Sequence, residues 1–160
     1  MGSDFEITIV EKNESRANYL LDLAIKEISR IEKLISSWDK SSQTSKINLN
    51  AGIKPIKVDK ELFDLISRSL KVSQLSQGAF DISYASLDKV WYFNKKMLKI
   101  PSEEEIKKSV SNVGFGNIIL NQKNQTVFLK KKGMKIGFGA IGKGYAADMA
   151  QLILIKNNVK

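Results

Sequence analysis

The sequence predicts an α+β fold, an antiparallel sheet packed with helices. Three observations carry this. Apolar residues recur at helical spacing through residues 15–36. Short apolar runs between residues 117 and 138 are separated by turn-forming residues. The order of elements is strand, helix, helix and then strands, which favours hairpins over βαβ units.

In chain order, Phe5, Ile7 and Ile9 alternate with Glu6, Thr8 and Val10, the pattern of a strand with a buried face. Leu20, Leu23, Ala24, Ile28, Ile31, Leu34 and Ile35 place a long helix over residues 15–36. Residues 36–50 are polar and serine-rich and read as a long loop, a place where sites concentrate. A short strand is expected at 55–58. Asp59 then serves as N-cap of a second helix carried by Leu62, Phe63, Ile66 and Leu70, which has ended by Gly78. Pro101-Ser102 opens a third helix, with Ser102 and Glu105 spaced as a capping box. Residues 117–120, 126–130 and 134–138 form a predicted meander with turns at 121–125 and 131–133. A last helix starts near Ile141 and runs through Leu152, Ile153, Leu154 and Ile155. So apolar a helix normally feeds another core strand, so the expectation is that residues 1–160 are the N-terminal part of a domain, with apolar surface of this helix exposed.

Composition narrows the chemistry. The 160 residues suffice for one domain with a core, and 42% are apolar. No apolar run approaches the roughly 20 residues that cross a bilayer, and no signal-peptide pattern opens the chain. With no cysteine and no histidine, disulfides, zinc fingers and thiolate catalysis are excluded, and any metal would be a hard cation held by oxygen. The net charge is +9. The lysines are spread, the densest runs being Lys95-Lys96 and Lys130-Lys131-Lys132, and the arginines are only Arg16, Arg30 and Arg68. This fits a solvated lysine-rich surface better than a nucleic-acid-binding domain, which would favour arginine.

Three segments could carry chemistry. Gly137, Gly139 and Gly142, with Lys143 and Gly144, lie between a predicted strand and a predicted helix. Glycines allow close approach, and the helix start offers N–H groups and positive potential to a phosphate. The spacing matches G-x-G-x-x-G, but the hairpin context is not that of a dinucleotide fold. The alternative is a glycine corner that packs helix on sheet. Asp81, among Ala79, Phe80 and Ile82, could accept hydrogen bonds from a ligand or could cap the next element. Trp38, just past the first helix, could stack on a flat ring or fold back over the core.

Taken together these segments resemble the ApbE family of flavin transferases, along the whole chain. Met1-Gly2-Ser3-Asp4-Phe5 resembles its Met-Gly-Thr/Ser-x-Tyr/Phe opening. Ser36-Ser37-Trp38 with Ser45-Lys46-Ile47-Asn48 resembles Met-Ser-x-Tyr and Ser-Glu-Ile-x-x-Asn. Gly78-Ala79-Phe80-Asp81-Ile82-Ser83, followed by Val90-Trp91-Tyr92-Phe93, resembles Gly-Ala-Phe-Asp-Ile-Thr and Leu-Trp-Gly-Phe. Gly139-Ala140-Ile141-Gly142-Lys143-Gly144-Tyr145-Ala146-Ala147-Asp148 resembles Gly-Ala-Ile-Ala-Lys-Gly-Tyr-Ala-Val-Asp.

The resemblance implies Mg2+-dependent transfer of FMN from FAD to a Ser or Thr hydroxyl of a partner flavoprotein, with release of AMP. The alternative on the same scaffold is an FAD-binding or FAD-hydrolysing relative. By matching positions it assigns Met1 and Trp38 to the flavin nucleotide and Ala79, Phe80 and Asp81 to its nucleotide portion. It assigns Lys143 to phosphate charge and the Ala140 carbonyl to Mg2+. It also implies an exported lipoprotein at the periplasmic face of the inner membrane, acting on a flavoprotein subunit of a membrane redox complex. Two positions depart from the pattern: Gly137 replaces a frequent Asp, and Trp38 replaces a usual Tyr. The family's side-chain metal ligands, an Asp and a Thr, fall beyond residue 160. If the resemblance holds, Trp38, Asp81 and Lys143 must converge on one cleft, with Asp81 pointing into it.

Overall fold

A computed structural model of the chain describes residues 4–87 and 99–159. The elements are α1 (Glu14–Ile35), α2 (Gln43–Leu49), β1 (Ile56–Lys57), α3 (Lys60–Leu75), a 3₁₀ turn (Ile82–Ser86), α4 (Glu103–Ser109), β2 (Ile118–Asn121), β3 (Thr126–Leu129) and α5 (Gly142–Lys156). A second, three-residue 3₁₀ turn precedes β2. The expected α+β class, with helices on an antiparallel sheet, is what the chain forms.

α1 begins where Asn13 accepts the Arg16 N–H, and it buries Leu20, Ala24, Ile31 and Ile35. α5 lies antiparallel beside it: Ile35 meets Gly142, and Arg16 donates to the Asn157 carbonyl at 2.8 Å. The contact stripe on α5 is Gly142, Ala146 and Ala150, small residues at i, i+4 and i+8 that let the two helices approach closely. Leu152 and Ile155 of α5 remain exposed, as the sequence led one to expect.

β3 is the middle strand of a three-stranded antiparallel sheet, β1-β3-β2, with Ile56 opposite Val127 and Ile118 opposite Leu129. Its buried Ile118, Val127 and Leu129 pack with Leu62, Phe63 and Ile66 of α3, with Ile31 and Ile35 of α1, and with Ala146 of α5. The Ser102/Glu105 capping box and the end of α3 before Gly78 (φ 87°) are as predicted.

Four local expectations are corrected. Residues 5–10 keep the alternation in burial, but no strand pairs with them among the described residues; Phe5 and Ile7 lie instead against Leu21, Ile25 and Ile28 of α1. Alternation reports which side is covered and not whether a ladder exists. Residues 36–50 are not one loop, because α2 lies within them. The buried Thr44 and Ser45 are tolerated because their hydroxyls donate to the Leu34 and Ser36 carbonyls at the end of α1, groups a helix end leaves unpaired. Asp59 stands at the N-cap of α3 but makes no capping bond; its carboxylate accepts from the Gln43 side-chain amide. Residues 134–138 are buried at Met134, Ile136 and Phe138, yet they are no strand, and β3 takes β1 as its second partner instead.

The backbone of that last segment is satisfied by other groups. Ile136 N–H donates to Asn48 Oδ1 at 2.8 Å, and Asn48 Nδ2 donates back to the Ile136 carbonyl at 3.0 Å. The Ser86 hydroxyl donates to the Lys135 carbonyl and accepts the Lys135 N–H, both at 2.8 Å. Gly137 N–H donates to the Ile82 carbonyl at 2.9 Å. Side chains from α2 and the 3₁₀ turn thus hold the lead-in to the glycine corner.

Candidate functional site

The corner at residues 137–142 turns the chain from this segment into α5. The Phe138 carbonyl accepts both the Ile141 N–H (3.1 Å) and the Gly142 N–H (2.6 Å). Each glycine has a packing reason. A Cβ at Gly142 would stand 2.6 Å from Ile35 Cδ1, one at Gly139 2.4 Å from Tyr84 Oη, and one at Gly137 3.0 Å from Ala85 Cβ. The packing alternative drawn from the sequence is therefore real. It does not exhaust the corner. Among the described residues, the N–H groups of Ala140, Lys143 and Gly144 make no backbone hydrogen bond, and all three residues are exposed. Unpaired N–H groups at the start of a 15-residue helix, beside an ammonium, suit a phosphate.

Two cavities meet at Gly139. One, of about 320 Å³, is bounded by Trp38, Glu32, Ile35, Phe138, Gly142 and Lys143. The other, of about 630 Å³, is bounded by Ala79, Phe80, Asp81, Tyr84, Ala140 and Ile141. Gly139 lines both. The three segments singled out from the sequence thus converge on one corner, as two adjoining cavities in place of the single cleft expected. Met1 and residues 90–93 lie outside the described residues.

Trp38 is 85% exposed, which excludes a ring folded over the core. Its loop is held by Ser36 Oγ, which accepts the N–H groups of Trp38 and Asp39. Asp81 departs from expectation. It caps the 3₁₀ turn through Oδ1, which accepts the Ser83 N–H and hydroxyl at 2.7 Å each, while Oδ2 accepts the Phe115 N–H at 2.8 Å. Its carboxylate is committed to the protein because Ser83 and Phe115 approach from two sides. The residue still lines the larger cavity, and Oδ2 retains one lone pair for a ligand donor.

Residues 1–160 match the family model described as "ApbE family". The chain belongs to the ApbE family. It is 32% identical over 146 residues to an FAD:protein FMN transferase of Buchnera aphidicola, covering 89% of this chain and 43% of that protein. It is 29% identical over 160 residues to one from Klebsiella pneumoniae, covering 100% and 49%. The crystal structure of an ApbE protein from Thermotoga maritima superposes with a TM-score of 0.77 at 32% identity, covering 92% of this chain and 47% of that one. The chain spans about half the length of the curated relatives it matches.

Behind the ApbE corner, a polar network joins three helices. Arg30 of α1 donates to both carboxylate oxygens of Glu61 on α3 (2.6 and 2.9 Å) and to Glu27, and Tyr145 of α5 donates its hydroxyl to Glu61 at 2.8 Å. The Arg30 hydrogen bonds hold Glu61 below the usual carboxylate range. Burial, reinforced by the bond to Glu61, pushes the Tyr145 phenol up to about 12. Tyr145 also closes the first turn of α5 by donating its N–H to Ile141.

For a metal, the described residues offer the carbonyl of Ala140, an exposed residue; it accepts no backbone hydrogen bond among them, which suits a hard cation. They hold no cluster of three or more acidic side chains. Sequence reasoning missed Tyr84 and Ser86, and gave Asn48 a place in a motif but no role. Tyr84 lies three residues past Asp81 with no periodic signal, and Asn48 and Ser86 meet residues 135–136 only through the fold.

Proposed function

We propose that the protein carrying this chain transfers FMN from FAD to a Ser or Thr hydroxyl of a partner flavoprotein, with AMP as the leaving group. The observation that carries this is the meeting of the Trp38 loop, residues 79–81 and the Lys143 corner at Gly139. Two adjoining cavities joined by a phosphate-binding corner suit a molecule with two ring systems and a pyrophosphate between them. The names of the Buchnera and Klebsiella relatives support the same reading.

The division of labour follows from the lining. Trp38 stacks on the flavin end in the smaller cavity. Residues 79–81 receive the other nucleotide end. Lys143 and the N–H groups of Ala140, Lys143 and Gly144 hold the pyrophosphate oxygens and the charge that builds there during transfer. The acceptor oxygen bonds to the flavin-side phosphorus, the bond from that phosphorus to the bridging oxygen breaks, and AMP leaves as the hydroxyl proton is lost. Mg2+ would be held in part by the Ala140 carbonyl and would supply Lewis-acid neutralisation of the phosphates. The acceptor is proposed to be a subunit of a membrane redox complex, reached by an exported lipoprotein at the periplasmic face. No described helix is itself long and apolar enough to cross a membrane.

The test incubates the purified protein with FAD, Mg2+ and a candidate flavoprotein subunit. In-gel flavin fluorescence reads covalent FMN, and chromatography reads AMP. Equimolar FMN-protein and AMP, both abolished by a chelator, are expected. AMP without covalent flavin would point to an FAD hydrolase, and no FAD binding at all would sink the reading.

A further inference from the structure

The Gly139 N–H at the head of the corner is paired by a side chain and not by backbone. It donates to Tyr84 Oη at 3.1 Å. A phenol has one donor and can accept at two lone pairs, so this bond leaves the Tyr84 O–H itself to be placed. No acceptor for it lies among the described residues, and Tyr84 is 41% exposed on the wall of the larger cavity.

The chain clears space for this phenol at Gly139, where a Cβ would clash with Oη. A Cβ at Gly137 would make only an ordinary van der Waals contact with it, at 3.6 Å. Both glycines have ordinary negative-φ backbones, so conformational need does not explain them; Gly139 is small because Tyr84 lies against it.

We propose that Tyr84 is a phosphate-binding residue of the site, its hydroxyl donating to a pyrophosphate oxygen in the larger cavity. This deepens the FAD reading above and rests on it. Accepting the Gly139 N–H polarises the phenol and makes its O–H a stronger donor, so the backbone dipole is passed outward by one side chain. The acceptor is anionic, which strengthens the bond further. Lys143 and the unpaired N–H groups of Ala140, Lys143 and Gly144 share the corner and supply the remaining contacts. Tyr84 thereby selects for the phosphate portion of the ligand and not for either ring system.

The experiment titrates the protein carrying this chain, wild type and Tyr84→Phe, with FAD, ADP and adenosine. The ring is retained, so the thermal midpoint of Tyr84→Phe stays close to wild type. FAD and ADP affinity should fall about tenfold or more, the scale of one lost hydrogen bond to a charged group, while adenosine affinity is unchanged. Gly139→Ala, whose methyl displaces the phenol, should give the same selective loss. The Gly139→Ala, Tyr84→Phe double variant should be no weaker than the worse single one, since both remove one contact. Equal losses for ADP and adenosine would assign Tyr84 a purely structural role and overturn the proposal, as would unchanged ADP affinity. Wild type that binds ADP but not FAD would overturn the flavin reading and leave the phosphate contact standing. Wild type that binds neither overturns both.

Discussion

Replacing Asn48 with alanine tests whether the ApbE corner is held from a distance. Asn48 spans from α2 to residue 136 with two hydrogen bonds, 2.8 and 3.0 Å long, to both backbone groups of a residue that is 0% exposed. The alanine variant leaves a buried N–H and a buried carbonyl without partners. Each such group costs about 1–3 kcal/mol, and Asn48 is itself half-buried, so water can reach part of the gap. The net cost is therefore about 2–4 kcal/mol. At a few degrees per kcal/mol, the thermal midpoint should fall by roughly 10 °C. Asn48→Asp still accepts the Ile136 N–H but sets a second carboxylate oxygen against the Ile136 carbonyl with no proton to donate, so it should be no more stable than Asn48→Ala. Thermal unfolding by circular dichroism, with urea titration for the free energy, reads both. An Asn48→Ala midpoint within about 2 °C of wild type would refute the reasoning, because it would mean residues 134–138 are held by apolar burial alone.

Two further outcomes are expected. Lys143→Ala should weaken FAD binding about tenfold through loss of the ammonium beside the pyrophosphate, read by flavin fluorescence titration; unchanged affinity and transfer rate would make Lys143 a solvated surface residue. Tyr145→Phe should remove an alkaline component of stability. The phenol ionises near 10 when unfolded and near about 12 when folded, so its contribution is complete below pH 10 and disappears as pH rises through 12. The urea midpoints of wild type and variant should therefore differ most at pH 9 and converge towards pH 12, whereas a gap that stays constant would contradict the assignment.

The helices were legible because their signals are local. The apolar stripe of α1, the Ser102/Glu105 box and the glycine that follows α3 each lie within a few residues of the structure they specify. α2 was hidden because only Ile47 of its buried face is apolar; Thr44 and Ser45 complete it and read as loop residues until the end of α1 supplies carbonyls for their hydroxyls. Residues 134–138 resembled a strand because Met134, Ile136 and Phe138 are apolar at alternate positions, while their actual hydrogen-bond partners, Asn48 and Ser86, are 88 and 49 residues away. The site divides the same way. The Lys143 corner and Trp38 stood out from spacing and residue type, whereas the capping bonds of Asp81 were only one of two readings, and its link to Phe115 requires the folded chain.

The antiparallel seating of α1 on α5 bears on the order in which the protein can be made. Arg16 and Asn157, which touch in the fold, are 141 residues apart in sequence. A ribosome adding about 5–20 residues per second emits α1 roughly 6–28 s before α5 arrives. Through that interval Ile31, Ile35 and Ala24 have no small-residue stripe to receive them, and the corner that would hold phosphate does not exist. Ligand can therefore play no part in the early collapse. The long wait exposes an apolar helix face to chaperones and to other nascent chains, and the closing contact is of the non-local kind that slows folding. A synonymous change that slows translation between residues 36 and 141 should lower soluble yield without altering the finished protein.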